Sequence, residues 1–84
     1  MNITTKHYTI IKDAAVKTLE WHKRSWPNDK QMLKCGKSDH DNLMKVAKMI
    51  KANEDSEKIA KAIYHLDTAV RELIPDEVYY TYIN

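Results

Sequence analysis

The 84-residue sequence has no phenylalanine, one glycine, one cysteine and two prolines. So little turn chemistry leaves few boundaries for a sheet of short strands and argues for helices. A single cysteine excludes an internal disulfide. No apolar run approaches the roughly 18 residues of a membrane span or the core of a secretion signal, so a soluble, cytoplasmic protein is expected. Phosphate loops, nucleophile elbows and paired catalytic acids are also missing, and an enzyme is not expected. Arginine is scarce, two against twelve lysines, while Ile, Asn and Tyr are plentiful. This is the usage of AT-rich genomes, many phages among them.

What is present is a pattern of amphipathic helices. From Asp39 to Ile74 the chain reads as two helices folded back on each other at Asn53-Glu54-Asp55-Ser56. Leu43, Val46, Ala47 and Ile50 fall at i, i+3, i+4 and i+7, and Ile59, Ala62, Ile63, Leu66, Ala69, Val70 and Leu73 continue that period. Leu66, at the centre of the second stripe, is expected to pack on Val46 or Ile50 and on Leu19. A chain this short buries only about 60% of its unfolded surface, so stability is expected to be thin or supplemented by self-association.

Upstream, Tyr8, Ile11, Ala15, Leu19, His22 and Trp26 form one stripe of a helix over 5–26, capped by Thr4 or Thr5 and ended by Pro27; Ile10, Ala14 and Trp21 widen its apolar side. Residues 28–38 read as a connector with a short helix, capped by Asn28 or Asp29 and stopped at Gly36 by a left-handed conformation. Ser38 and Asp41 resemble a capping box opening the hairpin's first helix over 39–53, which Asn53 closes. Asp55 or Ser56 then opens a helix over 56–74. Pro75 can begin a terminal helical turn over 75–83, with Asp76 and Glu77 favoured at its start. The expected architecture is all-α: a single domain of three principal helices built on an antiparallel hairpin.

Charge is divided along the chain. Residues 1–51 carry eleven basic and five acidic side chains, whereas residues 52–84 carry three and seven. Packing the two halves together neutralises this asymmetry internally; an anionic partner would do so externally. Lys45, Lys48 and Lys51 recur every three residues, a face that could hold phosphates of a nucleic acid or nucleotide, or simply a solvated one. Tyr79, Tyr80 and Tyr82 cannot all face so small a core, and tyrosines are favoured at protein interfaces. Cys35, Asp39, His40 and Asp41 offer too few soft ligands for zinc, so neither metal nor cofactor is expected. His22 on its apolar stripe reads as a packed histidine.

Two family resemblances accompany these features. Ser56, Ala62-Ile63, Leu66-Asp67 and Ala69-Val70 resemble the final helix of small phage anti-CBASS proteins, which sequester cyclic nucleotides. Ile74-Pro75, Val78-Tyr79 and Ile83 resemble the C-terminal end of the Hha/YmoA family, which modulates nucleoid proteins. Together they imply a small helical protein that works by binding, with no ligand-binding residue carried over. The expected function is a non-enzymatic, phage-encoded inhibitor or regulator of a host protein, acting by protein–protein contact through the C-terminal tyrosines. The alternative is a nucleic-acid or nucleotide binder using the lysine face.

Overall fold

The computed structural model describes residues 2–83 as an all-α bundle, with no strand among them. Two long helices dominate: α1 (Ile3–Ser25) and α2 (Lys30–Lys51), followed by α3 (Ser56–Tyr64), α4 (Thr68–Arg71) and α5 (Asp76–Tyr82). At 23 and 22 residues, α1 and α2 each run roughly 34 Å at the usual helical rise, most of the molecule's 39 Å length. They pack side by side as the antiparallel hairpin.

An antiparallel hairpin is present, but it joins α1 to α2 rather than residues 39–53 to residues 56–74, and its second arm starts earlier than the sequence suggests. Residues 30–38 belong to α2 rather than to a connector, and Ser38 and Asp41 lie inside that helix. Gly36 does not stop it, since the chain has no glycine with positive φ. Its lack of a side chain serves packing instead: a Cβ there would stand 2.6 Å from Cβ of His22, so glycine lets α1 and α2 approach.

Caps fix the remaining boundaries. Asn2, not Thr4 or Thr5, caps α1, its side chain accepting from the Thr5 N–H at 2.9 Å. Asp29 caps α2 through the N–H groups of Gln31 and Met32, both at 3.1 Å. Asn53 stands at φ 57°, and the N–H groups of Asn53 and Glu54 return to the carbonyls of Ile50 and Met49. That is a Schellman closure with asparagine in the left-handed position. Asp55 opens α3 by accepting from the Glu57 N–H, and Pro75 precedes α5, with Asp76 and Glu77 in its first turn.

The expected helix over 56–74 is broken at His65–Asp67. Asp67 adopts φ −57° and ψ 148°, which ends the helical path before α4. A terminal nitrogen of Arg71 reaches back to the carbonyls of Tyr64 and Leu66, each 3.2 Å away, and supplies donors that a continuous helix would have provided. The buried positions Ile59, Ile63, Leu66, Val70, Ile74 and Val78 keep spacings of three and four across the break. Periodicity alone therefore conceals it.

The core joins Ile11 and Ala15 of α1, Leu43, Val46, Ala47 and Ile50 of α2, and the stripe just named, with Ile83 closing the end. Leu66 lies in the same core as Val46 and Ile50, whereas Leu19 is not part of it and lines a separate cleft with Leu33 and Pro27. Leu73 and Ala69 leave the core altogether and are exposed; Ile74 is buried instead. Among the described residues no helix is long and apolar enough to cross a membrane.

Candidate functional site

A groove of about 730 Å³ runs between α1 and the α4–α5 corner. Ile10, Ala14 and Trp21 form its α1 wall; Ala69, Leu73 and Pro75 form the wall opposite. Trp21 and Leu73 leave 47% and 42% of their surface open, and of the exposed large hydrophobic residues these two line the same groove. Edge-to-face contacts with Trp26 and the His22 ring, at centroid distances of 4.9 and 5.1 Å, hold the Trp21 indole in place.

Polar groups line the same groove. Asp13 and Lys17 stand on α1, one turn apart and exposed, and Asp39 projects from α2, half-buried. No hydrogen-bond or ion-pair partner of Asp39 is present among the described residues. Burial raises its carboxyl above the ordinary carboxylate range; His22 opposes that shift and Asp67 reinforces it. His22 itself is buried, and its Nδ1 lies 2.7 Å from the Thr18 carbonyl. Since a carbonyl only accepts, Nδ1 carries a proton and donates it there.

The tyrosines expected to form an interface are separated by their surroundings. Tyr82 is half-buried, its hydroxyl 3.2 Å from Nδ1 of buried His7, and Tyr79 is half-buried against the core. Tyr80 is 64% exposed. It flanks a second cleft with Ile74 and Asp76, on the other side of the corner whose Leu73 and Pro75 line the groove.

The lysines spread over an exposed arc of α2. Lys51 holds its ammonium 4.7 Å from the Tyr8 ring centroid, Lys45 lies at a small cleft with His65 and Asp67, and Lys48 is open to solvent. Cys35 is exposed, and His40 Nδ1 meets Asp41 Oδ1 at 3.0 Å.

Sequence reasoning did not find the groove. Trp21 reads as an addition to the apolar side of α1, and Leu73 reads as core because the break at Asp67 is invisible to periodicity. The signal that was available is Asp67-Thr68, a capping pair inside an otherwise helical run.

Two titrations of opposite sign follow. Burial, ahead of the opposing Glu77 and the reinforcing Lys6, lowers His7 below its ordinary 6.5, so the stability it contributes is full above pH 6.5 and is lost as pH falls through the folded-state value. Asp39 is raised above 3.8, so its contribution is present at acid pH and lost as pH rises through its folded-state value. Thermal melts over pH 3–8 should show Asp39→Asn stabilising the chain at neutral pH and not at the acid end. His7→Gln should flatten the decline below about pH 6.5.

Comparison with protein-family models, characterised proteins and solved structures yields no match for this chain.

Proposed function

We propose that this chain is a non-enzymatic binding protein that regulates or inhibits a host protein by protein–protein contact. The groove between α1 and the α4–α5 corner is its docking surface. One observation carries this reading: Trp21 and Leu73, both large and close to half exposed, line one groove, the first from α1 and the second from the α4–α5 corner. Truncating such an anchor at a true interface typically costs about 2 kcal/mol or more of binding, while surrounding contacts cost little. Tyr80 supplies another exposed aromatic on the separate cleft across the same corner.

The test is capture from bacterial lysate with the whole chain as bait, with and without nuclease. Trp21→Ala should abolish capture of a specific protein and Tyr80→Ala should weaken it. Lys45, Lys48 and Lys51 changed together to Glu should leave it intact, and nuclease should have no effect. Capture that vanishes with the lysine changes or with nuclease, and survives Trp21→Ala, would replace this reading with nucleic-acid binding through α2.

A further inference from the structure

The partner's chemistry can be narrowed from the charges at the groove, an inference that rests on the docking role proposed above. The helix pair forming most of the groove belongs to the basic half of the sequence, residues 1–51, yet the groove reverses that sign. Its ionisable lining is Asp13, Asp39 and Lys17 with His22, and Asp67 lies close enough to act on Asp39. Two carboxylates and one ammonium therefore line the groove, with a third carboxylate acting on Asp39 from outside it.

Asp39 is the centre of this arrangement. A half-buried carboxylate beside an apolar wall is normally matched by a cation or by hydrogen-bond donors. Here the neighbouring carboxylate of Asp67 adds repulsion, and Asp39 has neither kind of match among the described residues. Lys17 makes no ion pair with it, and two other lysines of the basic half are engaged elsewhere, Lys51 on Tyr8 and Lys6 on Glu77 at 3.3 Å. His22 spends its Nδ1 proton on the Thr18 carbonyl and so does not offer it to the groove. The groove presents two carboxylates beside π-surface. A guanidinium or ammonium group carries the opposite charge, and an indole face attracts it as well.

We infer that the groove takes a segment of a partner protein in which a large apolar side chain lies beside an arginine or lysine. The apolar group seats between Trp21 and Leu73, and the cation meets Asp39 and Asp13. Charge complementarity selects this occupant over an acidic or neutral segment.

The experiment uses the full chain carrying Trp26→Phe, so that fluorescence reports Trp21 alone. Three capped amphipathic peptides share the same leucine positions and differ only in carrying Arg, Gln or Glu beside them. The arginine peptide should shift Trp21 emission and bind at least about tenfold more tightly than the glutamine peptide, with the glutamate peptide weakest. Asp39→Asn should remove most of this preference without lowering the melting temperature, and Asp39→Lys should turn it toward the glutamate peptide. Added salt should shrink the preference.

Equal binding of the three peptides would overturn the inference and leave the docking role standing, because the groove would then read apolar surface alone. Binding of none would remove both. Trp21 emission that changes with protein concentration alone, and that no peptide alters, would assign the groove to a second copy of the chain and overturn the inference.

Discussion

Ile63→Ala is expected to lower the unfolding free energy by about 2–5 kcal/mol, and Leu73→Ala by less than about 1. Both residues occupy the apolar stripe that the sequence shows between Ile59 and Leu73. The structure separates them. Ile63 is fully enclosed, so its truncation leaves a cavity that surrounding side chains only partly fill, whereas Leu73 is 42% exposed and loses little burial. Urea unfolding of the two variants decides the matter, since equal losses would mean that residues 56–74 form one continuous helix and that the groove does not exist.

Gly36→Ala is the second change with a large expected effect, and here two terms oppose each other. In an exposed helix the substitution stabilises by about 1 kcal/mol through propensity. At this position the new Cβ would meet Cβ and Cγ of His22 at 2.6 and 2.7 Å. Neither atom is the far end of a flexible side chain, so α1 and α2 must separate along their main contact, and overpacking of this kind costs about 1–3 kcal/mol. A net loss is expected because the strain falls on the hairpin that carries the rest of the fold. His22→Ala should not relieve it, since the Cβ remains; His22→Gly should, and in that background Gly36→Ala should become stabilising. A gain in melting temperature for Gly36→Ala alone would show that the helices do not approach as described.

These two sites also show how far the sequence could be read. The all-α class, the closure at Asn53, the cap at Asp55 and the start of α5 at Pro75 were legible because each is a local contest between backbone and side chain. Gly36 was not, because a glycine required for close packing looks the same in sequence as one that ends a helix. With Gly36 read as a stop, Asp39 and His40 became part of a helix start, although they continue the spacing from Met32 and Leu33 to Leu43. The groove was hidden for a related reason: it depends on where a stripe stops being a core, and stripe membership does not reveal that. Tyr80 could be singled out because it fell outside the spacing that pairs Val78 with Tyr82 and Tyr79 with Ile83.

The two ends of the chain meet: Lys6 pairs with Glu77 at 3.3 Å, and His7 touches Tyr82 across 75 positions of sequence. Those contacts set an order of assembly. A four-residue turn brings α1 against α2 at small entropic cost, so the hairpin can close early, whereas seating α5 on the start of α1 requires nearly the whole polypeptide to be gathered first. Substitutions at Leu43 or Ile50 should therefore slow folding, and substitutions at Val78 or Ile83 should mainly accelerate unfolding. The segment bearing Tyr80 would then be the last to arrive and the first to leave.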